Sequence, residues 1–84
     1  MPFYVYILQC SDNTYYTGCT NNLDRRINQH NNSKKGARYT KLRRPVALVY
    51  KEEYITLLDA RRREREIKTW KRKLKEALIQ KPKA

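Results

Sequence analysis

Residues 4–18 read YVYILQCSDNTYYTG, and this stretch decides the fold. A run of β-forming residues over 3–10 leads into the turn-forming segment 11–13, and residues 14–18 lead back. The order predicts a β-hairpin that carries Tyr6 on one strand and Tyr16 on the other. Gly18 is expected to be a structural turn residue closing the returning strand, because a close backbone approach or a positive φ there excludes a side chain.

The first strand is apolar on both faces, so we expect it to be covered on both sides. Side chains alternate along a strand. The two predicted faces are Phe3, Val5 and Ile7 on one side, and Tyr4, Tyr6 and Leu8 on the other.

The net charge of the chain limits the classes of partner that it can bind. Its 84 residues contain 20 Lys and Arg against 8 Asp and Glu, a formal net charge of +12. Such self-repulsion opposes folding and points to a polyanionic partner, nucleic acid first and an anionic membrane surface second. No run of about 18 apolar residues is present, and the N-terminus lacks the pattern of a signal peptide, so we expect a cytoplasmic protein.

The cysteines and the histidine carry little metal-binding potential. In a reducing compartment Cys10 and Cys19 are expected to be free thiols, although a bridge across the hairpin is geometrically possible. A single histidine leaves too few ligands for a zinc site.

The pattern predicts one domain over residues 1–84, with a core at 3–80 and a frayed end at 81–84. Residues 20–22 carry N-cap chemistry for a helix to about residue 31, and 31–44 is expected to be a loop. A third strand follows at 46–50, with an extension to residue 54 left open. A capping box at 56–59 starts a helix to about residue 70, and a last helix covers about 71–80. The order β-β-α-β-α-α indicates an α/β or α+β domain with a three-stranded antiparallel sheet flanked by helices.

Three polar residues fall on helix stripes that should face the sheet. Arg26 and His30 lie on the stripe 23, 26, 27, 30, and Glu64 lies on the stripe 57, 60, 64, 67. The last helix is expected to bury 74, 77 and 78. Because a buried charge without a partner costs several kcal/mol, these groups should pair or line a cleft near the hairpin.

These residue types suit phosphodiester chemistry. Arginine offers a planar fork of donors to phosphate oxygens, and a carboxylate can hold Mg²⁺ or Mn²⁺ with water and substrate oxygens. Tyrosine or histidine can serve as the base that activates water. A phenol with a pKa near 10 needs a nearby cation to do so at neutral pH.

The combination resembles the GIY-YIG nucleases, and most closely their small stand-alone bacterial members. The resemblance covers nearly all of residues 3–80. It rests on segments 4–8, 16–18, 22–27 and 64–68, which read YVYIL, YTG, NLDRRI and EREIK. It implies a GIY-YIG endonuclease-like fold and one divalent cation, Mg²⁺ or Mn²⁺.

The resemblance also assigns roles. It implies that Tyr6 is the general base, that Tyr16 shapes the site and contacts the attacking water or the phosphate, and that Arg26 binds the scissile phosphate. His30 would assist proton transfer, and Glu64 would hold the metal.

Three positions depart from the family pattern. Tyr4 replaces the glycine of the first triplet, and Thr17 replaces the isoleucine of the second. Cys19 stands where some members carry a lysine that would lower the pKa of the catalytic tyrosine.

The loop is the expected nucleic-acid contact, because it holds six cations, no acid and one aromatic side chain. The expected contacts are Lys34, Lys35, Arg38, Tyr39, Lys41, Arg43 and Arg44. Simpler readings stay open at this point: the tyrosines could be hairpin packing, and Glu64 could pair with Arg61 or Lys68 at helical spacing.

The sequence thus predicts a metal-dependent endonuclease domain that hydrolyses DNA phosphodiester bonds in DNA repair or processing. DNA is the expected substrate rather than RNA, and we expect a monomer without an obligate protein partner. The alternatives are a nucleic-acid-binding protein of the same fold with little or no catalysis, and an RNA- or membrane-associated basic protein.

Overall fold

The computed structural model describes residues 2–80, which form three strands and four helices. In chain order these are β1 (Phe3–Gln9), β2 (Tyr15–Thr20), α1 (Leu23–Asn32), α2 (Arg38–Lys41), β3 (Ala47–Tyr54), α3 (Leu57–Lys68) and α4 (Arg72–Gln80). The predicted three-stranded sheet with helices is confirmed, and the third strand does extend to residue 54. The expected frayed end at 81–84 lies outside the described residues.

The hairpin places β1 in the middle of the sheet. The strand order is β2-β1-β3, with both pairings antiparallel. Tyr6 lies opposite Gly18 across the hairpin. The turn passes through Asn13 with φ 67°, a left-handed conformation that asparagine tolerates. Because β1 has a partner on each side, β2 forms one free edge of the sheet.

Two apolar clusters cover the two faces of β1, as its alternating pattern predicts. Val5 and Ile7 pack against Ala60 and Ile67 of α3. The opposite face carries Tyr6, Leu8, Cys10 and Val46, packed with Tyr16, Leu23 and Ile27. Residues 5–8 are all almost fully buried, so both faces of the central strand are packed against neighbouring side chains.

Caps begin the two longer helices where the sequence predicts. The Asn22 side chain accepts a hydrogen bond from the Arg25 N–H at 3.1 Å. The Thr56 hydroxyl accepts one from the Asp59 N–H at 3.2 Å. α3 ends two residues before the predicted position, because the Trp70 N–H bonds back to the Ile67 carbonyl in a tighter turn.

Three predicted core positions are wrong. The exposed fractions of Leu57 and Leu74 are 41% and 54%, and Ala77 is also exposed. α4 rests on the sheet through Leu78 and Ile79 near its C-terminal end, so Leu74, one turn earlier, stays in solvent, and Ala77 lies beside the packed face rather than on it.

The segment predicted as a loop contains a helical turn, α2, which packs near α1. Gly36 makes this packing possible, since a Cβ there would lie 2.5 Å from the Gln29 carbonyl oxygen. The two cysteines are free, as expected, and face opposite sides of the sheet. Among residues 2–80, no helix has the length and apolar character needed to cross a membrane.

Candidate active site

A hydrogen bond between Tyr6 and His30 forms the centre of the candidate site. Tyr6 projects from the central strand, and His30 from the last turn of α1. The Tyr6 hydroxyl lies 2.8 Å from His30 Nε2, and both side chains are almost fully buried. Because α1 turns the stripe of Arg26 and His30 toward the sheet, His30 contacts Tyr6. These are the two residues that the resemblance assigns to proton transfer.

Gly18 provides the space for the Tyr6 ring. A Cβ at Gly18 would lie 2.5 Å from Tyr6 Cζ and closer still to its hydroxyl oxygen. The prediction that Gly18 is a turn residue closing the strand is wrong, because β2 continues to Thr20 and the φ of Gly18 is not positive. The glycine is needed instead for the close approach of the Tyr6 ring. The second triplet thus ends in glycine because the phenol of the first lies directly over it.

The second nitrogen of His30 binds a residue that the sequence did not single out. His30 Nδ1 lies 2.8 Å from the Thr40 hydroxyl oxygen, and that hydroxyl donates to the Ala37 carbonyl at 2.8 Å. The Ala37 N–H also points at Nδ1, but at 3.4 Å it is the much longer contact. Since the Thr40 hydroxyl proton is used in its bond to Ala37, the 2.8 Å contact decides and we assign the imidazole proton to Nδ1. Nε2 is then free to accept the proton of Tyr6.

Thr40 was missed because it lies in the segment predicted as a loop. Its position depends on the single turn of α2, which has no apolar periodicity of its own. The available signal was Gly36, whose missing side chain lets this segment lie against α1.

Tyr16 closes one side of the pair. Its ring centroid lies 5.1 Å from that of His30 and 6.5 Å from that of Tyr6. Tyr39 stacks on Tyr16 with a centroid distance of 6.1 Å, and the Arg43 guanidinium lies 3.9 Å from the Tyr39 centroid. An aromatic and cationic stack therefore extends outward from the buried hydrogen bond.

Arg26 and Glu64 act on Tyr6 through their charges. Arg26 is held by Gln29 Oε1 and by the Lys35 carbonyl, both at 2.9 Å from its Nη1. The pKa of Tyr6 is raised to about 12: burial is the largest cause, Arg26 opposes the rise, and the charge of Glu64 adds to it. Glu64 acts on the phenol through its charge alone, because α3 packs against the Val5 and Ile7 face of β1 and Tyr6 lies on the other face.

Burial has the opposite effect on the histidine. Burial first, and then the nearby cations Arg26 and Arg44, together lower the pKa of His30 to about 4. Both partners of the central hydrogen bond are therefore neutral at pH 7, so the imidazole can act as a base.

Glu64 offers one carboxylate to a divalent cation, in a hollow that it shares with the cations Arg61, Arg65 and Lys68. Glu64 Oε2 forms an ion pair with Lys68 Nζ at 2.9 Å, and its side chain is 16% exposed. Within residues 2–80, no three His, Cys, Asp or Glu side chains cluster around one point. Mg²⁺ commonly binds proteins through one or two carboxylates, with water and substrate phosphate completing its shell. Glu64 is the residue that would hold such an ion.

The predicted nucleic-acid contacts divide into three groups. Tyr39 and Arg43 form the stack described above, and Arg43 Nε also pairs with Asp12 Oδ2 at 3.1 Å. Four of the cations project into solvent: Lys34, Lys35, Arg38 and Lys41. Arg44 instead donates to the carbonyls of Gln29, His30 and Ser33, so its guanidinium secures the end of α1. We therefore leave Arg44 out of the proposed contact surface.

Comparison with known proteins places this geometry in a family. The GIY-YIG catalytic domain family matches residues 2–77. A UPF0213 protein of Staphylococcus haemolyticus is 53% identical over 77 residues, which cover 92% of this chain and 93% of that protein.

Solved structures agree with the sequence match. The solution NMR structure of a UPF0213 protein from Bacillus halodurans is similar with a TM-score of 0.60 and 46% identity, covering 94% of this chain and 83% of that one. A second NMR structure, from E. faecalis, has a TM-score of 0.63 and 40% identity, with coverages of 90% and 80%.

Proposed function

This chain belongs to the GIY-YIG nuclease superfamily, and from that premise we propose that it is a metal-dependent endonuclease acting on DNA. The observation that carries the proposal is the buried hydrogen bond from the Tyr6 hydroxyl to a neutral His30. We further propose that it acts as a monomer in the cytoplasm, in DNA repair or processing.

The direction of the hydrogen bonds supports a proton transfer away from water. An attacking water gives a proton to the Tyr6 oxygen while the Tyr6 hydroxyl proton moves to His30 Nε2. Because the two transfers are coupled, a free phenolate with its high pKa need not accumulate. The His30 Nδ1–H, bonded to Thr40, holds the ring in place throughout.

Arg26 and Glu64 support the charges of the reaction. The Arg26 guanidinium would bind the scissile phosphate and offset negative charge that develops in the transition state. Glu64 would hold the divalent cation, which when bound supplies further positive charge at the phosphate. Tyr16 would contact the attacking water or the phosphate next to His30.

Metal-dependent nicking of supercoiled plasmid tests this proposal. The wild-type protein should convert supercoiled to relaxed DNA with Mn²⁺ or Mg²⁺ and not with EDTA. Glu64→Gln should lower the rate about 100-fold or more, since its carboxylate holds the metal. Glu53→Gln is the matched control, because Glu53 is exposed on β3 and should leave the rate unchanged. Equal nicking by all three proteins would refute the proposal.

A nucleic-acid-binding protein without catalysis is the second candidate. The observation that favours it is the ammonium of Lys68 on Glu64, where a metal would have to bind. In that case the protein would bind DNA with a steep salt dependence, and the wild type would nick no faster than Glu64→Gln.

A further inference from the structure

Lys68 lies between the candidate metal ligand and an adjacent cavity. Its Nζ is 2.9 Å from Glu64 Oε2, one helical turn away on α3. The Lys68 side chain is 51% exposed and that of Glu64 only 16%, so the carboxylate is held in place while the long lysine can move. Lys68 also lines the cavity next to Tyr16.

The adjacent cavity suits a phosphate group. It has a volume of about 200 Å³ and lies along the free edge strand β2. Its lining residues are Tyr15, Tyr16, Thr17, Tyr39, Lys68 and Lys75. The two lysines carry positive charge, and no carboxylate is among these lining residues.

Thr17, one of the lining residues, holds an unused donor in the wall of this cavity. The residue is 4% exposed, and its hydroxyl oxygen has no hydrogen-bond partner in the described part of the chain. A buried hydroxyl without a partner costs free energy, so a ligand that accepts its hydrogen bond is favoured. A phosphate oxygen is such an acceptor.

We propose that Lys68 serves two sites in turn, neutralising Glu64 in the free protein and binding a substrate phosphate in the Thr17–Lys75 cavity once a divalent cation occupies Glu64. The inference rests on the proposed function, because it takes Glu64 as the metal ligand. The same ammonium that competes with the metal in the free protein becomes available to the substrate when the metal binds. Metal and substrate binding therefore favour each other.

The first consequence concerns metal binding without DNA. Lys68→Met removes the ammonium that is paired with Glu64, leaves Arg61 and Arg65 of the same hollow in place, and keeps an unbranched side chain of good helix propensity. Mn²⁺ binding, followed by the loss of the free-ion EPR signal, should tighten about two- to fivefold, the range of an exposed to partly exposed ion pair. Lys75→Met is the matched control and should bind Mn²⁺ like the wild type.

The outcomes of this titration distinguish the role of Lys68 from the assignment of Glu64 as the metal ligand. Glu64→Gln should abolish the bound fraction in either lysine background. Glu64-dependent binding that is equal in the wild type and Lys68→Met would overturn the role of Lys68 alone. Binding that does not depend on Glu64 in any protein would refute the metal site of the proposed function, and this inference with it.

The second consequence concerns DNA contacts. The slope of log affinity against log salt counts cation–phosphate contacts, at about 0.9 per contact for duplex DNA. We would measure it by fluorescence anisotropy with a labelled duplex oligonucleotide, using Tyr6→Phe protein to prevent cleavage. Lys68→Met should reduce the slope by about 0.9 with Mn²⁺ and leave it unchanged in EDTA. Lys75→Met should reduce it under both conditions.

The contrast between conditions is the decisive part. If Lys68→Met reduced the slope equally in EDTA and in Mn²⁺, Lys68 would be an ordinary surface contact and the inference would be overturned. The same holds if Lys68→Met changed the slope under neither condition.

Discussion

At the scale of single residues, burial keeps both Tyr6 and His30 neutral and so sets the direction of proton transfer between them. Removing each group from water disfavours its charged form, which raises the pKa of the phenol and lowers that of the imidazole. The tautomer set by Thr40 then leaves Nε2 as the acceptor of the Tyr6 proton. A positively charged His30 could not accept that proton, so the low pKa serves the proposed function.

The pKa of His30 also predicts how stability depends on pH. It is about 4 in the folded protein and 6.5 for the ordinary side chain, so the unfolded chain binds more protons between these values. The free energy of unfolding should therefore have its full value above about pH 6.5. It should fall as the pH drops toward 4, by up to roughly 3 kcal/mol. Urea unfolding at about pH 5 and about pH 7.5 should show about 2 kcal/mol of this loss.

His30→Gln is the control for this effect. The variant keeps a polar side chain without a titrating group, and the chain has no other histidine. Its stability should change much less over the same range. The same pH dependence in both proteins would contradict the assigned pKa.

At the scale of elements, the end of α1 is secured to the segment that follows it. Arg44 donates to carbonyls of the last turn, at 2.5 Å to His30 and 2.6 Å to Ser33. Asn31 exchanges two hydrogen bonds with the backbone of Val46, at 2.7 and 3.0 Å. These contacts fix the helix end that presents His30 to Tyr6.

Replacing Arg44 tests this structural role. Arg44→Met leaves buried helix-end carbonyls without donors and should lower the free energy of unfolding by about 2–3 kcal/mol. Arg38→Met, whose guanidinium is exposed at the start of α2, should leave stability unchanged within about 0.5 kcal/mol. Chemical denaturation of both variants measures the difference. Equal stability of the two would show that Arg44 is a free surface cation.

The sequence predicts these elements well where local signals are strong. The caps at Asn22 and Thr56 set two helix starts, and alternation along β1 sets both core faces. α2 could not be predicted, because four residues carry no periodicity and its stability comes from packing on α1. The exposure of Leu74 could not be predicted either, since it depends on where α4 crosses the sheet.

At the scale of the whole molecule, the candidate site is assembled from five segments around the free edge of the sheet. β1 contributes Tyr6, β2 contributes Tyr16 and Gly18, α1 contributes Arg26 and His30, α2 contributes Thr40, and α3 contributes Glu64. The helix phases of Arg26, His30 and Glu64 were readable from the sequence, because a charge on an apolar stripe is costly. The hydrogen bond to Thr40 and the pairing of Glu64 with Lys68 required the tertiary structure.

The central claim is that the Tyr6 hydroxyl, bonded to His30, carries the proton transfer in phosphodiester hydrolysis. The most direct measurement compares Mn²⁺-dependent nicking by Tyr6→Phe and Tyr4→Phe under identical conditions. Tyr4 precedes Tyr6 on the same face of β1 but borders a different hollow, beside Asn21 and Lys51. Loss of the Tyr6 hydroxyl should lower the rate at least about 100-fold, while loss of the Tyr4 hydroxyl should leave it within about twofold. Nicking by Tyr6→Phe at the wild-type rate would contradict the account.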